Sequence, residues 1–263
     1  MARSLRRFFI SKALEKNSGD ASGATILLTQ GETHHAKNVL RMKEGDLCFL
    51  FDRSGCEYLS RFEHFHRNGC CEAKLLELSK KDRVSQFQLS VAQAIPQHRK
   101  MDFIVEKAAE LGVFEIIPLE TERTIVRVAK ERESKVHHRW NRILEEALGQ
   151  SKATIFPEIA PVTSLSKLCE QFDRFDQVFI FHPSQNVENI QSAFSQVKTL
   201  LMGISHPLLK ILFLIGPEGG FSEKEIDQVK ACGAKAVSFA SSILKTDTAF
   251  ISAVSIAQFL WGE

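Results

Sequence analysis

The first part of the chain alternates short hydrophobic segments with polar turn residues. Segments rich in aromatic and β-branched side chains predict strands at Arg7–Ile10, Asp46–Phe51, Glu57–Phe62 and Cys71–Leu78. Turn signals containing Gly45, Gly55 and Gly69 lie between them, and one helix is predicted at His34–Arg41. This pattern favours a small β-barrel that ends near the polar stretch 79–83.

From residue 84 onward, hydrophobic strands alternate with amphipathic helices. The predicted strands are Gln88–Ala94, Phe114–Pro118, Val178–His182, Ile211–Ile215 and Ala236–Phe239. The predicted helices are Met101–Leu111, His137–Leu148, Val187–Val197, Glu223–Cys232 and a closing helix at Ala249–Leu260. Such alternation predicts a parallel sheet covered by helices. The predicted fold class is therefore α/β, with an N-terminal barrel.

The length and composition agree with two domains in a globular protein. The chain has 263 residues, of which 44% are hydrophobic and 25% are charged. The longest apolar run, near Leu208–Ile215, is too short to span a bilayer. Ser11, Lys12 and Glu15 interrupt the apolar residues that follow the N-terminal arginines. We therefore expect neither a secretory signal peptide nor an integral membrane protein.

The six cysteines follow no disulfide spacing, which indicates reduced thiols and a cytoplasmic location. Four potential metal ligands, His64, His66, Cys70 and Cys71, nevertheless lie close together in the sequence. On a strand, the two histidines would share a face, whereas adjacent cysteines point to opposite faces. A four-ligand site would be awkward to build from this arrangement, so we expect no metal.

Basic residues are concentrated in the first part of the chain. Residues 1–152 contain 26 Lys and Arg against 21 Asp and Glu, whereas residues 153–263 contain 8 against 11. The net charge of the whole chain is only +2. A field of this asymmetry favours a phosphate-rich partner such as RNA. An ordinary solvated surface is the alternative.

Three loops that follow predicted strands are candidates for a ligand site, because open α/β sheets bind ligands at the carboxyl ends of their strands. They cover residues 182–184, 216–221 and 240–247. The second loop, GPEGGF, precedes a helix that begins with a capping box formed by Ser222 and Glu225. It matches neither a dinucleotide fingerprint nor a P-loop. Glu218 and Glu223 would repel phosphate, so a cation or a neutral nucleoside fits better than phosphate, and a structural turn is the alternative.

The third loop is apolar at its centre. Its backbone groups could pair with an adenine that lies against Leu244. Lys245 and Asp247 could instead form a plain ion pair, so the residues alone leave both interpretations open.

At these loops the sequence resembles a known family. The matching segments are RRFFI at 6–10, HHAKNVLRMKEGD at 34–46, KMDFIVEKAAELGV at 100–113, ER at 122–123, EEALGQS at 145–151, FPEI at 156–159, FHP at 181–183, LIGPEGGFSEKEI at 214–226 and ILKTDTA at 243–249. Over essentially its whole length, the chain resembles the RsmE family of small-subunit ribosomal RNA uridine-N3 methyltransferases, which belong to the SPOUT (α/β-knot) class.

The resemblance implies a PUA-like RNA-binding β-barrel at residues 1–78 and a SPOUT trefoil-knot domain with a parallel sheet at residues 84–263. It also implies S-adenosylmethionine as the cofactor. The expected cofactor-binding residues are His182, Pro183, Ile215, Gly216, Glu218, Gly220, Phe239, Ile243, Leu244 and Thr248. The residues expected to contact small-subunit ribosomal RNA or a ribosomal particle are Arg6, Arg7, His35, Arg41, Lys43 and Lys100.

The implied reaction is methylation of a uracil at N3, whose proton must leave before or during the transfer. Lys245 or Arg123 would stabilise the developing anion, and Asp247 would accept the proton. Lys245, Asp247 and Ala240 replace the arginine, glutamate and glycine that the family usually shows. Residues 152–155 also lack the arginines that often follow the glutamine-serine pair. A methyltransferase for transfer RNA and a non-catalytic RNA-binding assembly factor remain alternatives.

The closing helix bears on oligomeric state. It carries apolar residues on more than one face, namely Phe250, Ile251, Val254, Ile256, Phe259 and Leu260. With the resemblance, this favours a two-fold symmetric homodimer. A helix that is buried within one subunit is the alternative.

Overall fold

The computed structural model describes residues 5–10, 14, 21–52, 56–81, 86–151, 153, 155–183, 187–203, 208–239 and 243–262. The chain divides into two compact units. The N-terminal unit comprises Met1–Arg83 together with Glu145–Phe156, and the C-terminal unit comprises Val84–Leu144 and Pro157–Glu263. The chain passes from the first unit to the second after Arg83, and it returns to the first unit at Glu145–Phe156. The hydrophobic pattern gives no signal for this return.

A five-stranded sheet forms the N-terminal unit. Its strands are β1 (Arg6–Phe9), β2 (Thr25–Leu28), β3 (Leu47–Phe51), β4 (Cys56–Phe65) and β5 (Cys71–Lys81), in the order β1-β3-β4-β5-β2. β1 and β3 run parallel, and the other neighbours are antiparallel. Inward-facing residues such as Phe8, Leu50 and Phe62 build its core. The sequence pattern predicted four of these strands and missed β2.

The predicted helix of this unit begins earlier than expected. α1 covers Gln30–His34, and a π-helical turn continues it over His35–Val39. The start at Gln30 follows from a capping box, in which Thr29 accepts from the backbone of Glu32 and the Glu32 carboxylate accepts from the backbone of Thr29. Arg41 then takes a left-handed backbone with φ 56°, which ends the helical segment.

Arg7 joins the two sequence segments of the N-terminal unit. Its Nε lies 2.5 Å from the Glu57 carboxylate, and the guanidinium also donates to the carbonyl oxygens of Leu148 (2.9 Å), Ser151 and Ala153 (3.3 Å). The Arg7 side chain is only 9% exposed. The expectation that Arg7 contacts RNA therefore needs correction, because its donors are used inside the unit.

An eight-stranded, wholly parallel sheet forms the C-terminal unit, as predicted. Its strands are β6 (Phe87–Ala94), β7 (Glu115–Glu120), β8 (Glu158–Ile159), β9 (Thr163–Ser164), β10 (Gln177–Phe181), β11 (Glu188–Asn189), β12 (Leu209–Ile215) and β13 (Lys235–Ser238). The order is β11-β13-β10-β12-β6-β7-β8, and β9 also pairs with β7. The central strands β6 and β12 are buried nearly throughout, and burial on both faces explains the apolar run Ile211–Ile215 of β12. The trefoil knot stays a prediction.

The helices of the C-terminal unit connect these strands. They are α2 (Lys100–Glu110), α3 (Lys130–Gln150), α4 (Leu165–Cys169), α5 (Ile190–Gly203), α6 (Glu223–Ala231) and α7 (Thr246–Trp261). α3 begins seven residues before the predicted helix, because its first turns are polar and give no apolar periodicity. The end of α3 belongs to the N-terminal unit. Within the described ranges, no helix has both the length and the hydropathy to cross a bilayer.

Three of the four potential metal ligands of the N-terminal unit make other contacts. His64 Nδ1 lies 3.0 Å from Glu44, and His66 Nε2 lies 3.1 Å from Glu72. The two imidazole rings are neighbours, with centroids 4.7 Å apart, whereas Cys71 is buried in the core. In the part of the chain that the structure describes, no cluster of three or more potential metal ligands occurs.

Candidate active site

Parallel pairing brings the three candidate loops to one edge of the C-terminal sheet. Phe181, the last residue of β10, is paired with Ile215 at the end of β12 and with Val237 in β13. The segments that begin at His182, Gly216 and Phe239 therefore leave neighbouring strands at the same edge. Ser184 and residues 240–242 of the predicted loops lie outside the described residues.

These loops enclose a cavity of about 470 Å³. The predicted cofactor-binding residues line it, with the exception of Thr248. The complete lining is Arg123, Phe181, His182, Pro183, Ile215, Gly216, Pro217, Glu218, Gly219, Gly220, Phe221, Ser238, Phe239, Ile243, Leu244, Lys245, Thr246 and Ala249. Apolar side chains dominate this wall, while the glycine loop presents backbone to the cavity. Such a mixture is typical of small-molecule sites.

Glycine is favoured at two positions of the GPEGG loop for different structural reasons. Gly220 has φ +66°, a left-handed conformation that strains any residue with a Cβ, although a Cβ there would meet open space. At Gly216, a Cβ would lie 3.2 Å from both the Gly220 Cα and the Phe221 ring. Tight packing inside the loop therefore favours glycine at position 216, and the backbone conformation favours it at position 220.

A buried hydroxyl connects the glycine loop to the closing helix and to the central strand β6. Thr246, which is 4% exposed, donates from Oγ1 to the carbonyl oxygen of Gly216 at 2.6 Å. The same oxygen accepts a hydrogen bond from Gln93 Nε2 at 2.9 Å, and this Nε2 also donates to the carbonyl of Ala94. Sequence reasoning missed both Thr246 and Gln93, since their contacts join residues 153 positions apart.

An ion pair holds the acidic residue of the glycine loop. Lys100 Nζ lies 2.7 Å from Glu218, and the backbone N–H of Gln97 donates to the same carboxylate at 3.3 Å. Burial opposes ionisation of Glu218, but the hydrogen bonds from Lys100 and the backbone lower its pKa below the ordinary value. Those contacts also raise the pKa of Lys100, and the nearby Asp247 adds to this. Lys100 was expected to contact RNA, whereas the structure engages it at the cavity edge.

Arg123 extends across the glycine loop from a tight turn after β7. Thr121 and Thr124 close this turn through a hydrogen bond between their hydroxyl groups (2.8 Å) and another from the backbone of Thr124 (3.2 Å). The methylene groups of Arg123 lie against Gly219, and its Nη1 donates to the carbonyl oxygen of Gly219 at 2.8 Å. One predicted catalytic cation is thus part of the cavity wall.

His182 supplies an unpaired polar atom in this wall. Its Nδ1 is buried and has no hydrogen-bond partner among the described residues. Burial lowers the pKa of His182 below its ordinary value of 6.5, so the imidazole is neutral at pH 7. A neutral imidazole nitrogen can donate or accept a hydrogen bond, according to its tautomer.

The predicted residues of the third loop divide between the cavity and the helix surface. Lys245 is the N-cap of α7 and lines the cavity. Asp247 lies in the first turn of α7, where its Oδ1 accepts from the backbone of Thr248 at 3.1 Å, and it does not line the cavity. Thr248 is exposed. The cavity is lined by Thr246 and not by Thr248, so the expected cofactor contact of Thr248 stays a prediction.

Four of the predicted RNA-contacting residues are exposed on the N-terminal unit, namely Arg6, His35, Arg41 and Lys43. Phe8 packs edge-on against His35 with centroids 6.1 Å apart, so β1 lies beside the π-helical turn. Arg6 precedes Phe8 by two positions and therefore lies on the same side of β1. Exposed arginine and lysine side chains of this kind can bind phosphate groups.

Family models match both units of the chain. A model described as an RNA methyltransferase domain matches residues 83–258, and one described as an RNA methyltransferase PUA domain matches residues 28–72. Together with the parallel sheet and its glycine-lined cavity, these matches define the class as RNA methyltransferases that carry a PUA domain.

Individual relatives narrow this class. The chain is 27% identical to the ribosomal RNA small subunit methyltransferase E of Bacillus subtilis, with 97% of this chain and 96% of the relative covered. It is 30% identical to the ribosomal RNA small subunit methyltransferase E 2 of Borreliella burgdorferi, with 86% of each covered. The chain belongs to the RNA methyltransferase family that includes the ribosomal RNA small subunit methyltransferase E proteins.

A solved structure agrees with this assignment over the whole chain. The ribosomal RNA small subunit methyltransferase E of Neisseria gonorrhoeae, crystallised with S-adenosyl methionine, superimposes with a TM-score of 0.79 at 28% identity. The match covers 98% of both chains. The architecture of both units is therefore that of the family.

Proposed function

We propose that the protein transfers a methyl group from S-adenosylmethionine to N3 of a uridine in small-subunit ribosomal RNA. The observation that carries this proposal is the cavity at the carboxyl edge of the parallel sheet, with the GPEGG loop on one side and Arg123 across it. The family relatives named for this RNA, and one of them crystallised with this cofactor, support the choice of substrate and cofactor.

The residues of the cavity fit this cofactor. Leu244, Ile243 and Phe239 provide an apolar surface for an adenine ring, and the unpaired Nδ1 of His182 offers a hydrogen bond. Because His182 is neutral at pH 7, it does not repel a sulfonium cation. When bound, S-adenosylmethionine supplies an already activated methyl group, so the protein mainly positions the reactants.

The charged side chains near the cavity would assist the loss of the uracil N3 proton. A guanidinium has five N–H donors, and the described contact of Arg123 with Gly219 uses one of them. Arg123 and the exposed Lys245 can therefore stabilise negative charge that develops on the uracil. Asp247, near the ammonium of Lys100, is the proposed proton acceptor, acting directly or through water.

We assign RNA binding to the exposed basic surface of the N-terminal unit, formed by Arg6, His35, Arg41 and Lys43. Small-subunit ribosomal RNA, free or in a ribosomal particle, is the proposed partner. The proposed location of the protein is accordingly the cytoplasm.

We also propose a homodimer through the face of α7 that its own subunit leaves uncovered. Phe250, Val254 and Trp261 are buried within the subunit, whereas Phe259 is 85% exposed. Exposed aromatic surface of this kind favours association, and closed two-fold dimers are the commonest oligomers. Light scattering should show twice the mass of the chain, and Phe259→Ser should shift the protein toward monomer. A monomeric wild type at working concentration would refute the dimer.

A methyl-transfer assay tests the activity. Small ribosomal subunits from a strain that lacks the gene should accept methyl groups from S-adenosylmethionine, and nucleoside analysis of their RNA should show N3-methyluridine. Arg123→Ala should lower the rate. Methylation of transfer RNA, and not of ribosomal RNA, would show that the proposed substrate is wrong. Cofactor binding without methyl transfer to any RNA would favour a non-catalytic assembly factor.

A further inference from the structure

The carboxylate of Glu225 makes two hydrogen bonds that belong to different parts of the site. Glu225 lies in the first turn of α6 and is 7% exposed. Its Oε2 accepts from the backbone N–H of Ser222 at 2.9 Å, while its own N–H donates to the Ser222 hydroxyl at 3.3 Å. This reciprocal pair is a capping box, which needs only one oxygen of the carboxylate.

The other oxygen reaches outside the helix. Glu225 Oε1 accepts from the backbone N–H of Glu122 at 2.7 Å, across 103 positions of sequence. Glu122 is in the turn after β7, and the next residue is Arg123. A buried carboxylate that accepts from two backbone donors is a strong anchor, because hydrogen bonds to an ionised acceptor exceed neutral ones.

The turn that Glu225 holds also fixes the position of the Arg123 guanidinium. Thr121 and Thr124 are both buried and fix the ends of the turn through their hydroxyl groups. Glu225 fixes its middle, so the backbone of Arg123 is held on both sides. The Arg123 side chain then lies on Gly219, in the loop directly before α6. The same carboxylate therefore sets both the start of α6 and the position of Arg123 relative to the glycine loop.

We propose that Glu225 is a positioning residue for the methyl-transfer step, acting through Arg123. This inference rests on the proposed function, in which Arg123 stabilises charge on the uracil. Without the bond from Glu122 to Glu225, the turn moves and the guanidinium leaves its position over the glycine loop. Displacements of about 1 Å at reacting groups lower rates by about a hundredfold, so partial release should lower kcat by about tenfold or more.

Two variants break the bond from opposite ends. Glu225→Gln leaves one acceptor oxygen for two backbone donors. Glu122→Pro removes the donor itself without altering α6, at a turn position that suits proline. Glu122→Ala is the matched control, since it keeps the N–H and removes an exposed side chain. Ser222→Ala is the control for α6, because it weakens the cap and keeps the bond to Glu122.

The readout is kcat and KM on small ribosomal subunits, with thermal unfolding as a check on folding. We expect Glu225→Gln and Glu122→Pro to lower kcat by about tenfold, with KM for the cofactor changed less than threefold, and both controls to retain activity. In combination with Arg123→Ala, neither variant should lower kcat further, since residues that act as a unit are not additive.

Fully additive losses, or a wild-type kcat in both variants, would overturn the proposal. A folded Glu122→Pro protein keeps the test valid if Glu225→Gln fails to fold. Failure of the proposed function would look different, because the wild type itself would then transfer no methyl group.

Discussion

Replacement of Thr246 by valine should loosen the glycine loop while preserving the shape of the side chain. The hydroxyl of Thr246 is the donor to the carbonyl of Gly216 and the acceptor for Gln93. Valine removes both interactions and adds a methyl group of similar size. The Gly216 carbonyl then loses its donor, whereas Gln93 retains the carbonyl of Ala94.

The magnitude follows from these two bonds. Each hydrogen bond contributes about 0.5–1.5 kcal/mol net, and a buried group left without a partner costs about 1–3 kcal/mol. We therefore expect the free energy of unfolding to fall by roughly 1–3 kcal/mol. Because the loop that loses its support also lines the cavity, part of this energy should appear as weaker cofactor binding. A share of about 1.4 kcal/mol corresponds to a tenfold higher Kd.

Thr246→Ser is the matched control, since it keeps the hydroxyl and removes only the methyl group. Calorimetric titration with S-adenosylmethionine should show about tenfold weaker binding for Thr246→Val and a smaller change for Thr246→Ser. Chemical denaturation should rank the unfolding free energies in the same order. Unchanged affinity in the valine variant, or equal losses in both variants, would refute the argument from the hydroxyl.

Three further outcomes are expected. Gly220→Ala should destabilise the protein by roughly 1–2 kcal/mol, as measured by chemical denaturation, because φ +66° is strained for alanine; an undiminished stability would contradict this reading of the loop. Lys100→Met should weaken cofactor binding and leave the salt dependence of RNA binding unchanged. Arg41→Ala should flatten that salt dependence by about one unit of slope. The opposite pattern would show that Lys100 contacts RNA. Since the pKa of folded His182 lies below 6.5, the unfolded state binds more protons, so the free energy of unfolding should fall as pH drops below 6.5. His182→Asn should reduce this slope, and an identical slope would exclude His182 as its source.

Hydrophobic periodicity was sufficient to predict the main strands and the parallel sheet. β10 and β12 each contain a continuous apolar run, at Val178–Phe181 and Ile211–Ile215, because both of their faces are covered. Short elements escaped prediction, as in β8 and β11, which have two residues each and no period to detect. The start of α3 was missed because its first turns are solvated and polar.

The candidate site was predictable in its loops but not in its internal support. Glycines after an apolar strand indicated the Gly216–Phe221 loop directly. The contacts of Thr246, Gln93 and Glu225 depend on which strands are neighbours in the sheet, and strand order is not encoded in local pattern. Arg7 shows the same limit, since its basic side chain suggested RNA while its partners are the Glu57 carboxylate and carbonyl oxygens far along the chain.

The shared use of Arg7 by two sequence segments has a consequence for synthesis and for dissection of the protein. The N-terminal unit is discontinuous, so the contacts of the Arg7 guanidinium are incomplete until residues 145–156 have left the ribosome. The core of this unit lies within residues 8–75, so the Arg7 contacts with residues 148–153 are made only after the strands β6 and β7 of the other unit have been synthesised. A fragment that ends at residue 83 would leave the Arg7 guanidinium with Glu57 but without its three carbonyl partners. A fragment that is to keep all of the Arg7 contacts therefore needs the distant segment to be supplied, for example as a synthetic peptide added to the truncated chain.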